Sequence, residues 1–204
     1  FYLYQGRLDL AEVWFRAATG PASDPSAAVQ LAHIYYNLGL DQDAATVLRA
    51  VKEPQTAVEV MRAILVVRTG RYRELETYSR DLLRKSGDPL WISALAAAQM
   101  MLGDAAGVRE QLLVTSPELF APDPTVGSNG LDDAIGAAWA SQQLGDRAQA
   151  RRILEQVLAA TTPTPGLTQP HERRVARAKA FEMLGQRDRA IAELTAAVDA
   201  GWRT

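Results

Sequence analysis

The sequence predicts an all-α protein in which antiparallel helix pairs stack into a solenoid, and three observations lead to this fold class. Six glycines, at positions 6, 39, 70, 103, 145 and 185, recur with spacings by subtraction of 33, 31, 33, 42 and 40 residues. An apolar residue stands five positions after each glycine, and a large apolar residue stands nine after all but Gly70. An alanine stands seven positions before every one except Gly6. Self-similarity at a period of this size is typical of repeat proteins.

Each line of the alignment predicts one helix, a tight turn and a second, antiparallel helix. Small residues at matching positions let two helices approach closely, and a larger apolar residue one turn along fills the remaining space. In YNLGLDQDAATVLRAV, 36 to 51, these residues are Gly39, Ala44 and Leu48. We expect the glycine to end the first helix in the left-handed conformation, which penalises residues that carry a Cβ.

This pattern resembles the tetratricopeptide repeat, a helix-turn-helix unit of 34 residues. In the second repeat the small residue is Ala32, the aromatic is Tyr35, the turn glycine is Gly39 and the second alanine is Ala44. The resemblance covers nearly the whole chain and implies a right-handed superhelix of five to six helix pairs. The last repeat departs from the pattern, because Arg174 and Arg177 stand where apolar residues are expected.

The glycine phase also predicts the repeat boundaries of a single solenoid over 1–204. We expect an incomplete first repeat, five further repeats and two insertions, at 1–23, 25–56, 57–88, 89–120, 121–130 (insertion), 131–162, 163–170 (insertion) and 171–204. Both insertions are rich in proline, glycine and threonine or aspartate, which predicts loops. Asp132 or Asp133 is the expected cap of the helix after the first insertion. Trp202 either caps the last helix or begins another.

Composition excludes several classes of function. The chain has 204 residues, a formal net charge of −2 and no cysteine, which removes disulfides and thiolate chemistry. No apolar stretch is long enough for a membrane span, so direct membrane insertion is not expected. The basic clusters RAQARR, 147–152, and ERRVARAK, 172–179, lack interleaved aromatics, so nucleic acid is not the expected partner. Paired, solvated helix faces are the favoured interpretation of these clusters, and an arginine patch for an acidic partner is the alternative.

No motif predicts catalysis, a cofactor or a metal. The two histidines, His33 and His171, have no metal-ligand spacing, and the glycines of VGSNG, 126–130, lack the lysine of a phosphate-binding loop. We interpret VGSNG as a turn. Neighbouring acids such as Asp132 and Asp133 do not face each other on a helix, so we do not expect acid–base chemistry from them.

The resemblance also implies where a partner would bind. First helices line the concave face of such a superhelix, and the family's groove positions carry over to a predicted partner-binding groove. Its residues are Val29, His33, Tyr36, Asn37, Val60, Ile64, Val67, Arg68, Ala97, Met100, Met101, Ile135, Trp139 and Gln142. The lysine–asparagine clamp with which some family members hold a peptide carboxylate is absent, because its places hold Val29 with His33, Val60 with Ile64, and Ser93 with Ala97. The predicted groove is therefore apolar and aromatic, although packing between neighbouring first helices would also explain these residues.

The favoured hypothesis is a non-catalytic interaction module that binds a protein or peptide partner, with Tyr36, Ile64, Met100 and Trp139 as anchors. A second hypothesis is a regulatory or structural arm of a larger enzyme or signalling protein, since FYLYQGRLDL begins without a methionine and partway through a predicted helix. A third is a homodimer through Val13 and Phe15. The arginine- and alanine-rich composition suggests a bacterial source, and both the cytoplasm and the periplasm remain open.

Overall fold

A computed structural model describes residues 12, 13, 16, 24–52, 55–127, 130–163 and 170–200. The predicted incomplete first repeat and Trp202 lie outside these residues, except for three isolated positions in the former. Val13, one of the two residues proposed for self-association, is exposed, and Phe15 lies outside the described residues. The chain divides into two compact units, 1–78 and 79–204, and the repeat boundaries stay predictions.

The described ranges contain ten α-helices and no strand, which confirms the all-α fold class. The first unit holds the first three helices and the start of the fourth. The ten helices are α1 Pro25–Asn37, α2 Asp41–Arg49, α3 Thr56–Arg68, α4 Tyr72–Ser86, α5 Leu90–Leu102, α6 Ala105–Thr115, α7 Leu131–Gln143, α8 Arg147–Ala160, α9 His171–Met183 and α10 Arg187–Asp199. A short 3-10 helix, η1 Pro117–Phe120, follows α6.

The turn glycines behave as the sequence predicts. Gly39, Gly70, Gly103, Gly145 and Gly185 all have positive φ, between 69° and 88°, and each follows a first helix. After Gly145, the backbone N–H of Asp146 donates to the carbonyl of Ser141 at 2.8 Å. This bond satisfies one of the carbonyls that the end of α7 leaves unpaired. Gly6 lies outside the described residues.

Two second helices, α6 and α8, begin with an aspartate cap. The side chains of Asp104 and Asp146 accept hydrogen bonds from the backbone N–H groups of Gly107 and Gln149, at 2.9 and 3.0 Å. Such caps satisfy donors that a helix start leaves unpaired. At these two turns the glycine and the aspartate together define the tight connection, whereas α2 and α10 begin without a side-chain cap.

Each unit has its own hydrophobic core, built from the predicted small and large residues. In the first unit Ala32, Ala44 and Leu48 are buried with Leu31 and Tyr35. In the second unit the core runs through α5 to α9. It includes alanines at the predicted positions, Ala96 and Ala138, and the leucines nine positions after two turn glycines, Leu112 and Leu154. Its other members include Ala105, Val108, Ala134, Ala137, Ala140, Ile153, Val157, Ala176 and Ala180.

The departure from the repeat pattern in α9 is accommodated by charge pairing. Arg177 Nε lies 2.8 Å from Glu193 Oε1 on α10, and Arg174 Nη1 lies 3.4 Å from Glu193 Oε2. Arg177 Nη1 also donates to the carbonyls of Leu158 and Thr161, at 3.3 and 3.4 Å. The helix pair α9–α10 therefore keeps the turn and pairing of the others, while ion pairs replace part of its apolar contact.

The predicted cap of α7 is wrong. The helix begins at Leu131 with Gly130 at the cap position, and no side chain caps it. Asp133 instead accepts a hydrogen bond from the Ser116 hydroxyl at 3.2 Å, and Asp132 pairs with Lys179 at 3.1 Å. Because the helix begins at Leu131, both aspartates lie within its first turn and neither occupies the cap position. Their carboxylates contact neighbouring elements instead.

Contacts with α8 hold η1 and the start of the first insertion. Leu119 in η1 is buried, and Gln149 Nε2 on α8 donates to the carbonyls of Leu119 and Ala121 at 2.8 and 3.0 Å. Phe120 packs against the core of the second unit. The beginning of the insertion is thus fixed to α8, and Gly130 closes its end with an N–H bond to the carbonyl of Gly127 at 3.1 Å, as expected of a turn.

Candidate functional site

The predicted groove residues fall into two sets, one in each unit. Those of the first unit lie on α1 and α3, and those of the second lie on α5 and α7. The first set is Val29, His33, Tyr36, Asn37, Val60, Ile64, Val67 and Arg68. The second set is Ala97, Met100, Met101, Ile135, Trp139 and Gln142. Each set is described within its own unit.

In the first unit, Arg68 joins the end of α3 to the end of α1. Its guanidinium carbon lies 4.4 Å from the centroid of the Tyr36 ring, and its Nη1 donates to the Tyr36 carbonyl at 2.7 Å. Its Nε also lies 3.3 Å from Asp41 Oδ1. These contacts hold the half-buried Tyr36 ring in one orientation, because a guanidinium over an aromatic face is attracted by the ring quadrupole.

The neighbouring apolar residues of this set remain accessible. His33 lies edge-on to Tyr36, with ring centroids 6.3 Å apart. Ile64 is 37% exposed and Val67 is 44% exposed. Val29 and Tyr36 pack partly against the core of the unit, and Asn37 is exposed at the end of α1. Val60 is half-buried. The first set therefore presents a mixed surface of apolar side chains around one fixed aromatic ring.

In the second unit, three predicted residues line one cleft of about 340 Å³, which we call the groove cleft. They are Ala97 and Met100 on α5 and Ile135 on α7. Ile135 is buried in the core and forms part of the floor. The remaining lining residues are half apolar and half polar or charged, and they are Ala96, Val108, Leu112, Gly136, Ser93, Asp132, Asp133 and Lys179.

The other three predicted residues of this unit are not brought into the groove cleft. Trp139 is half-buried and packs against the core, and Met101 is 53% exposed on another part of α5. Gln142 lines a different cleft, which involves the end of α9. The six groove residues predicted for this unit therefore do not share one site. Three line the groove cleft, one lines the other cleft, and two lie outside both.

Two of the three charged residues that line the groove cleft form an exposed pair. Asp132 and Lys179 lie 3.1 Å apart, with side chains 89% and 48% exposed. An ion pair this open to water contributes little to stability, and its groups remain available to a ligand. The cleft thus combines an apolar floor with this ion pair, and its lining also includes Asp133, which accepts a hydrogen bond from Ser116.

Sequence reasoning missed the contribution of α6 to this floor. Val108 and Leu112 belong to a second helix, whereas the groove prediction used first helices only. Gly136 was also missed, and a Cβ there would lie 3.4 Å from Leu112 Cδ1. A glycine within the helical pattern of LDDAIGAAWASQQ was the signal that α7 passes close to a neighbour.

No metal-binding arrangement is found in the described part of the chain, where no three histidine, aspartate or glutamate side chains form a suitable cluster. His171 Nε2 lies 3.0 Å from Glu172 Oε1, and His33 contacts Tyr36. Within the same ranges, none of the helices has the length and hydrophobicity that crossing a bilayer requires.

The basic clusters are largely paired in the structure. Arg174 and Arg177 share Glu193, and Lys179 pairs with Asp132. In the other cluster Arg151 pairs with Glu155 at 2.9 Å and Arg152 contacts the Gln149 side chain. Arg147 is exposed at the start of α8.

Comparisons with known proteins support the fold. No protein-family model and no curated protein matches the sequence. Among solved structures, the chain is similar to a tetratricopeptide repeat protein from Parabacteroides merdae, with a TM-score of 0.63 and 16% sequence identity. The match covers 100% of this chain and 77% of the other. The chain therefore has the tetratricopeptide repeat fold, an α-solenoid architecture, as the repeated sequence pattern predicted.

Proposed function

We propose that this chain is a non-catalytic protein–protein interaction module that binds a peptide or amphipathic helix of a partner protein in an apolar groove. The fold suggests an interaction module in general. The specific proposal is that the groove cleft, with Ala97, Met100 and Ile135, holds apolar side chains of the bound segment.

The observation that carries this proposal is the concave, mainly apolar lining of the groove cleft on α5, α6 and α7. Its volume of about 340 Å³ is at the lower end of the range typical of ligand pockets, about 300–1,000 Å³. A cleft of that size accepts a few side chains rather than a large cofactor. Met100 suits this role, because an unbranched thioether adapts its shape to different partners.

The polar groups at the rim support a peptide rather than a purely apolar ligand. Lys179 and Asp132 offer a donor and an acceptor at the mouth of the cleft, and both are exposed. A bound segment would place apolar side chains on the floor and polar ones at this rim, as amphipathic helices do in hydrophobic grooves. Binding energy is expected to concentrate in the buried apolar anchors rather than at the rim.

The first unit offers a second apolar surface of the same kind. Ile64 and Val67 expose much of their side chains, beside the Tyr36 ring that Arg68 holds in place. A fixed aromatic ring loses little conformational entropy when a partner binds to it. We propose that this surface contributes additional contacts to the same kind of partner.

Selection from a phage-displayed library of random linear peptides, with the whole chain as bait, tests the proposal. Selected peptides are expected to carry apolar residues at helical spacing. Ala97→Glu places a carboxylate over the apolar floor and should weaken binding of the selected peptides at least about tenfold, because a desolvated, unpaired charge opposes complex formation.

Ala192→Glu is the matched control, since Ala192 is also an exposed alanine within a helix, on α10, and it does not line the groove cleft. It should leave the affinity within about twofold of the unsubstituted chain. Failure to select any peptide, or equal affinities for the two variants, would overturn the proposed function. Circular dichroism would establish that both variants are folded.

A further inference from the structure

The cleft at Gln142 forms a second concave surface, at the edge where the end of α9 meets the start of α8. We call it the edge cleft. Its volume is about 270 Å³. Its floor is apolar, with Ala150, Leu154, Met183 and Leu184, and the arginines Arg147 and Arg151 are part of its lining.

Part of this cleft has a counterpart in the preceding helix pairs, and there a side chain occupies it. The edge-cleft residues Gln142, Ala150 and Leu154 align instead with Met100, Val108 and Leu112 of the groove cleft. Alignment on Gly103, Gly145 and Gly185 equates Arg109 with Arg151, six residues after the glycine, and Leu144 with Leu184, one residue before it. Arg109 and Leu144 line a cleft together with Phe120 of η1. With Phe120 present, only about 100 Å³ remains there.

Phe120 is held in that position by contacts from two sides. The guanidinium carbon of Arg109 lies 5.8 Å from the centroid of its ring, and the ring packs against the core. Gln149 binds the carbonyls on either side of Phe120, at Leu119 and Ala121. The molecule therefore shows which chemistry fits this position between successive helix pairs: an aromatic side chain on a short turn, beneath an arginine.

The edge cleft differs from the occupied one in its charge. Its lining includes two arginines and no acidic residue, whereas the occupied cleft includes Asp146. Arg147 is exposed, and the pair of Arg151 with Glu155 is exposed on both sides, so this pair constrains Arg151 only weakly. An occupant with a carboxylate would complement the two guanidinium groups, which bind carboxylates through parallel N–H donors.

We propose that the edge cleft binds a short turn of a partner protein in which an aromatic or large aliphatic side chain adjoins an aspartate or glutamate. The apolar side chain takes the place that Phe120 has in the preceding cleft, with Arg151 over it. The carboxylate pairs with Arg147. This site goes beyond the proposed groove and does not depend on it, since Gln142 is the one predicted groove residue that lines it.

The chain itself provides the probe. Residues 116 to 121 read SPELFA and contain the occupant of the preceding cleft together with an acid, Glu118. The acetylated and amidated hexapeptide is titrated into the ¹⁵N-labelled whole chain and followed by NMR. We expect saturable shifts at the amides of Leu184 and Gln186, with a dissociation constant of about 1 mM or below. Glutamine in place of the peptide's glutamate should weaken binding about threefold or more, and alanine in place of its phenylalanine should abolish it.

The double variant Arg147→Glu and Arg151→Glu should lose at least about tenfold in affinity, because like charges would then meet across the cleft. Arg73→Glu with Arg84→Glu is the matched control. It makes the same change in net charge on α4, where both arginines are exposed and Arg84 pairs with Asp81 much as Arg151 pairs with Glu155. This control, and the groove variant Ala97→Glu, should bind the hexapeptide as the unsubstituted chain does.

Absence of shifts at millimolar peptide, shifts confined to α5 and α7, or equal affinities of the two arginine variants would overturn the proposal. Concentration-dependent shifts at the edge cleft without peptide would assign it to a second copy of this chain, and would also overturn it. Because the Ala97→Glu variant reports on the groove separately, failure at the edge cleft is distinguishable from failure of the proposed function.

Discussion

The helix pairs α7–α8 and α9–α10 have the same turn and pairing but different contacts between their helices. In the first pair Ala134 and Ala137 face a core that contains Ile153, and all three are buried. At the corresponding positions, 40 residues later, the second pair has Arg174, Arg177 and Glu193. Apolar packing is thus replaced by a cluster of ion pairs, with the Arg177 and Glu193 side chains 12% and 15% exposed.

A second difference concerns the residue nine positions after the turn glycine. Leu154 on α8 is 2% exposed, whereas Leu194 on α10 is 37% exposed. α9 packs against α8, and no described helix follows α10. The comparison teaches that the repeated pattern specifies the backbone of a helix pair, while burial of its apolar face depends on the neighbouring pair.

The largest expected effect tests that dependence directly. Leu154→Ala should destabilise the protein by about 3 kcal/mol, since removal of a fully buried leucine side chain leaves a cavity. Leu194→Ala, the same change at the equivalent position, should cost less than about 1 kcal/mol because much of that side chain is already in water. Urea unfolding followed by circular dichroism measures both. Equal losses would break the comparison.

The ion-pair cluster gives the next largest effect. Glu193→Ala should cost about 2 kcal/mol, because it leaves two partly buried guanidinium groups without their carboxylate. Asp81→Ala removes the partner of the exposed Arg84 and should cost less than about 0.5 kcal/mol. The same unfolding measurements compare the two.

A triple variant sharpens this result. Arg174→Ala, Arg177→Ala and Glu193→Ile together give α9–α10 the residues of α7–α8 and should be more stable than Glu193→Ala alone, since apolar groups often replace a buried ion pair without loss. If the single variant retained full stability, the charge cluster would have no part in joining the two helices.

A smaller effect is expected where α8 holds the insertion. Gln149→Ala removes two hydrogen bonds to backbone carbonyls of η1, one of them buried, and should cost about 1–2 kcal/mol. Limited proteolysis should then cut between 116 and 130 faster than in the unsubstituted chain. The control Gln156→Ala changes an exposed glutamine on the same helix and should leave the cleavage rate unchanged. Unaltered cleavage in both variants would contradict this role of Gln149.

The smallest difference in stability between the two helix pairs is expected at their turns, which have the same geometry. Gly145 and Gly185 have φ of 88° and 74°, and a Cβ would have nothing within 4 Å at either one. Each substitution to alanine should therefore cost about 1–2 kcal/mol from backbone strain alone, and the two values should agree. Thermal unfolding of both variants checks this. A clear difference between them would show that the turns have different surroundings after all.

Much of the fold could be predicted from the sequence, because the glycine spacing and the small residues act locally. Gly145 ends a helix whatever lies around it, and Ala138 is small enough for close approach in any such pair. The capping of α7 was predicted wrongly, since Asp132 and Asp133 are good capping residues by type but bind Lys179 and Ser116 instead. Their partners are distant in sequence, so no local pattern indicated them.

The candidate site was harder to predict for the same reason. Positions carried over from the family identify some of the first-helix side chains of the groove cleft, such as Ala97 and Met100. They do not identify Leu112 from α6, nor do they distinguish Ile135 in the floor from Trp139 against the core. These differences depend on how closely α5, α6 and α7 pack, which the sizes of many residues determine together.

The central claim is that a partner segment lies in the groove cleft, and paramagnetic NMR tests it most directly. A peptide selected on the whole chain is labelled with a nitroxide at its centre and added to the ¹⁵N-labelled protein. We expect the amides of Ala97, Met100 and Ile135 to lose intensity first, while those of Ala192 and Thr195 on α10 keep theirs. Broadening centred on α10, with the α5 and α7 amides unaffected, would contradict it.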